Sequence, residues 1–371
     1  MDNFYIPSTS TPLLPHIGVT LLNLTNFKYI IDNDVCDTSA GSDLKAILVI
    51  TSYVGNVHVR QAHRRAMPKT SLFSIGVRRV FLLAISHGSN DEHYRKVKQK
   101  EVVKENELNS DLVQGNFHEA YRNLTYKHVM GLQWVTSFCR KAQYIIKMDD
   151  DIIVDVYFLM KLLQVSNVSG SFMLGYILNG VKPSRNPSNK WFVNYVEYPK
   201  SFYPPFLSGW MYVTTPAVAT EIIDYVQNRW QYKYPRKVKE FQSFFWIDDV
   251  FVTGIIAQQL KIQLIDLSRY FAVHPQHFLC CIETALIERL KRKDEAYIFP
   301  CDYIVGPSGG NMQLLSQVLK EAENCWKAEE NCIRHLNVSQ GNKCTVGRAE
   351  AYDWIRRPSQ EGKATLKEIK L

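Results

Sequence analysis

The sequence predicts an α/β fold with a mostly parallel central sheet. Two apolar runs, Lys45–Tyr53 (KAILVITSY) and Arg79–Ser86 (RVFLLAIS), are each followed by polar residues and then helix-compatible sequence. A helical stretch lies between them, and a third run, Tyr144–Met148 (YIIKM), ends in three aspartates, as a strand leading from a core to a cleft would. Alternation of this kind predicts parallel strands joined by helical crossovers. With 371 residues and 46% hydrophobic content, the chain can bury a large core.

Each element has a local reason. Asn56–Met67 (NVHVRQAHRRAM) reads as a helix whose Arg60 and Arg64, four residues apart, share a face. Tyr121–Cys139 spaces Leu124, His128, Met130, Leu132, Val135 and Phe138 as a buried helix ahead of the third strand. Val156–Leu163 (VYFLMKLL) is an amphipathic helix, and Gly175–Lys190 is a loop rich in Gly, Pro, Ser and Asn. In the aromatic segment Trp191–Tyr212, Pro204 and Pro205 hold the backbone extended before Ser208 and Gly209 permit a tight turn. Rings beside such a turn suit a sugar platform, although core packing would use the same residues. Asp248 and Asp249 open a helix spaced by Val250, Phe251, Ile255, Ile256 and Leu260, where carboxylates meet free amides and the positive end of the dipole. Gln313–Lys327 reads as a last helix, and residues 345–371 as a charged, mobile tail.

Composition excludes some functions. The net charge of +8 is spread through mixed-sign segments, without the concentrated basic face that nucleic-acid binding needs. Eight cysteines, Cys36, Cys139, Cys280, Cys281, Cys301, Cys325, Cys332 and Cys344, contain no C-x-x-C pair, so disulfides are expected, with the last three stapling a C-terminal extension. Sequons at Asn23, Asn167 and Asn337 fit an oxidising lumen. No run of about 20 apolar residues spans a membrane, and the N-terminus lacks the order of a signal peptide. Either the targeting segment is missing from this chain or the protein is not luminal. The triplet Asp149, Asp150 and Asp151 concentrates repelling carboxylates that a hard cation such as Mg²⁺ or Mn²⁺ would neutralise, as solvent would at a surface turn.

The motifs in order resemble the beta-1,3-galactosyltransferase and beta-1,3-N-acetylglucosaminyltransferase family (glycosyltransferase family 31), related to Fringe enzymes. Glu105 and Asp111 lead into Phe117, Tyr121 and Asn123–Lys127 (NLTYK), then Trp134, Cys139 and Lys147–Asp151 (KMDDD). Lys182-Pro183, Lys190-Trp191, Tyr203–Gly209 (YPPFLSG) and Ile247–Gly254 (IDDVFVTG) follow, so the likeness covers residues 45 to about 270.

The resemblance implies a GT-A nucleotide-sugar-binding domain over residues 45–310, a stem remnant over 1–44 and a helical, cysteine-containing extension over 311–371. It implies Asp151 as ligand of an Mn²⁺ bridging the diphosphate of a UDP-sugar, with Asp149 toward the ribose, Asp150 beside the metal, and Arg60 and Arg64 near the nucleotide. Asp249 would be the base that activates the acceptor hydroxyl in an inverting transfer to a β-1,3 linkage. Asp248 would orient or cap; a carboxylate at a helix N-terminus has a low pKa, so it is expected to stay ionised and to act as base at neutral pH without burial. Trp191, Tyr203 and Gly209, with Asp248, would contact acceptor or sugar. Acceptors would be glycans of glycoproteins or glycolipids, and family members are type II membrane proteins of the Golgi. Asn123, though a sequon, is expected to be buried and unglycosylated. Lys147 is read either as an electrostatic partner or as a snorkelling edge lysine.

Three departures stand out. The tryptophan after the early arginines is replaced, the segment continuing Arg65, Ala66, Met67, and Asn116 replaces an aspartate, with Glu119 as the second acid. The late metal-binding histidine of the family aligns with Gly306, leaving His274 and His277 as substitutes. That last departure raises the alternative of a catalytically impaired glycosyltransferase-like protein that binds glycans or nucleotide-sugar. A two-metal phosphohydrolase would need a second ligand cluster, which the sequence lacks.

Overall fold

The structure, a computed structural model, describes residues 19–37, 43–86, 97–166, 168–230, 244–291 and 297–334. Asn167, Asn337, Cys344 and the 345–371 tail lie outside the described residues.

Its centre is an eight-stranded sheet. From one edge the strands run Gln263–Asp266, Phe172–Leu178, Phe206–Thr214, Tyr144–Asp149, Ala46–Thr51, Val77–Ile85, Leu112–His118 and Tyr29–Ile31. The four strands from Tyr144–Asp149 to Leu112–His118 are mutually parallel. Phe206–Thr214 is antiparallel to both its neighbours, so the sheet is mixed, with its parallel block at the centre.

Both faces are covered, which is why the central strands read as unbroken apolar runs. In Ala46–Thr51, Ala46, Leu48 and Ile50 enter one core, while Ile47 and Val49 enter the other. The first core packs against the helices Val57–Ala66, Val156–Val165, Pro275–Lys291 and Met312–Lys327; the second packs against Leu124–Phe138 and Pro216–Asp224. The Tyr29–Ile31 edge strand and the Met312–Lys327 helix are therefore built into the same body as the sheet. Cys36–Cys139, Cys281–Cys301 and Cys325–Cys332 are disulfides, the first tying the N-terminal segment to the end of the Leu124–Phe138 helix.

Two local expectations are corrected. Residues 175–178 belong to the Phe172–Leu178 strand, so the loop begins only at 179. Ser208 and Gly209 make no tight turn, because they lie inside the nine-residue strand Phe206–Thr214. The register with its neighbour slips between Leu207 and Tyr212, and this bulge re-aims the backbone at Gly209.

Candidate active site at the carboxyl edge of the sheet

Alternation along Tyr144–Asp149 sorts the acidic triplet. Ile146 and Met148 enter one core; Lys147 and Asp149 fall on the opposite face. There Lys147, 3% exposed in its side chain, donates to Asp149 Oδ1 at 2.7 Å and to the Gly209 carbonyl at 2.8 Å. It is an electrostatic partner, not a snorkelling lysine. Burial works against its charge, but Asp149, Asp248 and Asp249 outweigh it and raise its pKa.

Asp150 points the other way and is buried. Its carboxylate accepts from Ser52 Oγ at 2.6 Å and Asn56 Nδ2 at 3.1 Å, while its carbonyl accepts from His63 Nε2 at 2.7 Å. Burial drives the His63 pKa down to about 4, so this imidazole is a neutral donor.

Arg60 completes that support from inside. Its Nε and Nη2 donate to Glu105, Nη1 to Ser52 Oγ and the Tyr53 carbonyl, and Nη2 also to the Val54 carbonyl. A guanidinium has five N–H donors, and all are engaged. Arg64 bridges Glu105 and Asp111. Of the two arginines expected near the nucleotide, Arg60 thus holds, from behind, the loop on which Asp150 rests, while Arg64 reaches the shared Glu105 and Asp111.

Asp151 is exposed at the rim. Burial by the surrounding recess still raises its pKa, and the charge of Asp150 adds to this, with Lys190 opposing. Its carbonyl accepts from Ser308 N at 2.9 Å, so the Val305–Pro307 strand does run alongside the triplet. Gly306 in that strand is walled in. A Cβ there would lie 2.7 Å from both the Cβ and the carbonyl oxygen of Ala272, and 2.8 Å from Phe278 Cε2. No imidazole fits. Gly306→Ala is expected to cost about 1–3 kcal/mol through overpacking, read as a lowered midpoint in urea unfolding.

His274 and His277 do not take over the role. His277 Nδ1 donates to the His274 carbonyl, its ring lies 4.9 Å from Tyr303, and His274 contacts Gln276. Among the described residues no three His, Cys, Asp or Glu side chains converge as a metal site.

The second acidic pair comes from the opposite wall. Asp249 caps the wide helical turn Val250–Ile256, with Oδ1 accepting from Val250 N at 2.7 Å. The Gly209 N–H also donates to it, and a Cβ at Gly209 would stand 3.4 Å from Oδ2. The carboxylate thus sits against this strand at a distance a Cβ would meet in ordinary van der Waals contact. Burial and the charge of Asp248 lift the Asp249 pKa to about 7 despite these amides and Lys147. The helix terminus does not keep this carboxylate acidic, because two N–H donors cannot offset desolvation beside a like charge.

Asp248 behaves oppositely. Burial disfavours its charge, yet a 2.8 Å hydrogen bond from His128 Nδ1 and the charge of Lys147 hold it well below the usual carboxylate range. Asp149, whose side chain keeps 38% exposure, is pushed up to about 7 by burial, with Asp151 and Asp248 adding and Lys147 opposing. The four carboxylates Asp149, Asp151, Asp248 and Asp249 therefore form one electrostatic cluster around a single buried lysine.

Aromatic residues frame the cluster unequally. Trp191 is 46% exposed, hydrogen-bonds the Tyr121 hydroxyl, and carries the Lys190 ammonium 4.2 Å from its ring. Tyr121 feels Asp248, Asp249 and Asp149, which places the tryptophan at the mouth of the site. Tyr203, expected as a sugar contact, is buried among Tyr198, Phe206 and Phe245 at 5.0, 6.1 and 5.8 Å, so its ring faces are core packing. Asn123 is buried as expected, donating to the His118 carbonyl. Glu119 pairs with the buried Lys127 at 2.5 Å.

Residues 59–268 match the model of the family described as Galactosyltransferase, more than half of the chain. The chain belongs to that family. It is 35% identical to beta-1,3-galactosyltransferase 5 of Mus musculus over 218 residues, 58% of this chain and 64% of that protein. It is 28% identical to a lactosylceramide 1,3-N-acetyl-beta-D-glucosaminyltransferase of Xenopus tropicalis, over 64% of this chain and 59% of that one. The chain thus spans less than two thirds of the length of these relatives. A solved galactosyltransferase, LgtC in complex with donor and acceptor sugar analogs, is similar with a TM-score of 0.34 at 9% identity, over 74% of this chain and 95% of that one. That likeness is too loose to carry an argument.

Within this galactosyltransferase-family domain, sequence reasoning found all four carboxylates but missed Ser52, Asn56 and His63, and named Tyr121 only as a motif residue without a site role. His128 was read only as a spacing residue of the buried helix, although with Lys127 it puts two titratable side chains in succession on a helix that is buried along most of its length.

Proposed function

We propose that this chain is an inverting transferase that moves a hexose or N-acetylhexosamine from a UDP-sugar to a glycan hydroxyl, forming a β-1,3 linkage. The observation that carries this reading is Asp249, a half-buried carboxylate with a pKa near 7, set against the Gly209 backbone beside the strand-end aspartates. A base with that proton affinity is poised to act near neutral pH. Asp249 takes the acceptor proton as the acceptor oxygen bonds to C1, while the C1–oxygen bond to the β-phosphate breaks and its electron pair leaves with UDP. Attack opposite the leaving group turns an α-linked donor into a β-linked product. Strand-end carboxylates on an α/β sheet, in a chain of this family, fit the GT-A arrangement.

The donor set fits a hard divalent cation such as Mn²⁺. It offers only oxygen, carries more negative charge than Lys147 balances, and leaves Asp151 exposed. Asp151 would hold the ion, with diphosphate and water filling the coordination that Gly306 cannot supply. Bound there, the ion would supply charge stabilisation to the departing diphosphate. Asp149 faces the same recess, Asp150 fixes the backbone of the triplet, and Trp191 offers a ring face to the acceptor. Disulfides support an oxidising compartment such as the Golgi lumen. Among the described residues no helix is long and apolar enough to cross a membrane. The impaired alternative is not favoured, because the chain belongs to the Galactosyltransferase family and the relatives it resembles are named as transferases.

The test is a panel of UDP-sugars with Mn²⁺ and glycan acceptors. Asp151→Ala is expected to raise the Mn²⁺ concentration needed for half-maximal transfer at least about tenfold. UDP binding indifferent to both Mn²⁺ and this substitution would sink the metal assignment.

A further inference from the structure

His128 lies in the Leu124–Phe138 helix, 2% exposed in its side chain, and is bound at both nitrogens. Nδ1 lies 2.8 Å from Asp248 Oδ2, and Nε2 lies 2.7 Å from the Tyr212 hydroxyl. An ionised carboxylate only accepts, so Nδ1 carries the proton. Burial keeps the ring neutral, leaving a lone pair on Nε2 that accepts a hydrogen bond from the Tyr212 hydroxyl. Tyr212 is fully buried on the Phe206–Thr214 strand, which also presents Gly209 to Asp249. The tautomer is thus fixed from two directions.

Asp248 and Asp249 are consecutive carboxylates, and the charge of Asp248 raises the proton affinity of Asp249. Facing Asp248 are His128 from the helix, Lys147 and Asp149 from the neighbouring strand, Tyr212 from the next, and Tyr121. Lys147 is already bonded to Asp149 and the Gly209 carbonyl. His128 is therefore the donor that distinguishes Asp248 from its neighbour.

We propose that His128 is a positioning residue for sugar transfer: its neutral, Nδ1-protonated imidazole holds Asp248 ionised and turned into the protein, so that Asp249 alone is left to accept the acceptor proton. The role rests on Asp249 being the base, as argued above. With Asp248 ionised, its charge increases the proton affinity of Asp249; with a proton on Asp248 that reinforcement is lost and the base is weaker. His128 touches neither substrate nor the reacting atoms, so its effect is on the transfer step and not on binding.

The full chain is assayed with UDP-galactose, Mn²⁺ and a phenyl β-N-acetylglucosaminide. His128→Leu is expected to lower kcat by about 10–100-fold, with KM for both substrates nearly unchanged. His128→Asn, whose Nδ2 can still donate to Asp248, is expected to restore most of the loss. Adding Asp248→Asn to His128→Leu should cost nothing further, because the two act as one unit. Unchanged kcat in His128→Leu, no rescue by Asn, or additive losses would each overturn the proposal. Independently of turnover, ¹⁵N NMR of the imidazoles, assigned with His128→Asn, should show a neutral Nδ1–H ring at pH 7. An Nε2–H tautomer or an imidazolium would overturn it as well. Transfer that persists in Asp249→Asn instead removes the base assignment, and this role with it, while leaving the NMR tautomer intact.

Discussion

Asp249→Asn is expected to lower kcat by about 10²–10⁴-fold, the usual contribution of a positioned general base, while UDP binding changes little. The amide preserves the shape and keeps an oxygen for one of the two backbone N–H donors, Val250 or Gly209, but cannot accept a proton. UDP release under saturating donor and acceptor measures the first quantity, and calorimetric titration of UDP the second. A drop confined to KM would show that Asp249 binds and does not catalyse. The wild-type pH profile gives a second reading of the same group. A base works deprotonated, so kcat/KM should rise with pH through about 7, where burial and the charge of Asp248 place the Asp249 pKa. A limb centred near 4 would mean that solvent reaches the carboxylate freely. Asp149 is also lifted to about 7, so loss of the limb specifically in Asp249→Asn assigns it.

The carboxylates were legible for a simple reason. A five-residue apolar run that ends in acids must leave a core at that point, and an acidic pair ahead of helically spaced apolar residues must start a helix. Neither inference needs a distant contact. What sequence could not supply was the face. In a sheet covered on both sides, alternation does not say which core receives Lys147, so its bond to Asp149 was one of two readings until the Phe206–Thr214 strand was placed. The same limit hid the bulge at Ser208 and Gly209, which looks like turn chemistry and becomes a bulge only against a paired strand. Tyr203 shows the converse: an aromatic beside a glycine is a sugar platform or a core residue depending on Tyr198 and Phe245, which lie 5 and 42 positions away in the chain. Arg60 and Arg64 do share one helix face, and what that face meets is Glu105 and Asp111, partners 41 to 47 positions away that helical spacing alone does not reveal.

Those arginines carry the largest expected effect on stability. Glu105 is 4% exposed in its side chain and holds Arg60 at 2.7 Å and Arg64 at 2.8 Å, both guanidinium groups being withdrawn from water. Glu105→Ala would leave Arg60 as an uncompensated buried charge, which typically costs about 3–5 kcal/mol. At about 2–4 °C per kcal/mol for a domain of this size class, Tm should fall by roughly 6–20 °C. The pH dependence has a definite sign. Burial would raise the Glu105 pKa, but hydrogen bonds and charge from Arg60 and then Arg64 outweigh it and hold the pKa below its ordinary value. Such a group contributes stability that is full above the unfolded value of about 4.3 and is lost as pH falls through the lower folded value. Wild-type protein should therefore lose stability steeply below about pH 4, and Glu105→Ala should lose less over that interval, since part of the pH-dependent term is already gone. The network also supports the site, because Arg60 donates to Ser52, and Ser52 donates to Asp150. A folded Glu105→Ala protein at low temperature should consequently show weakened transfer as well, and full activity in that protein would separate the ion network from the placement of the triplet.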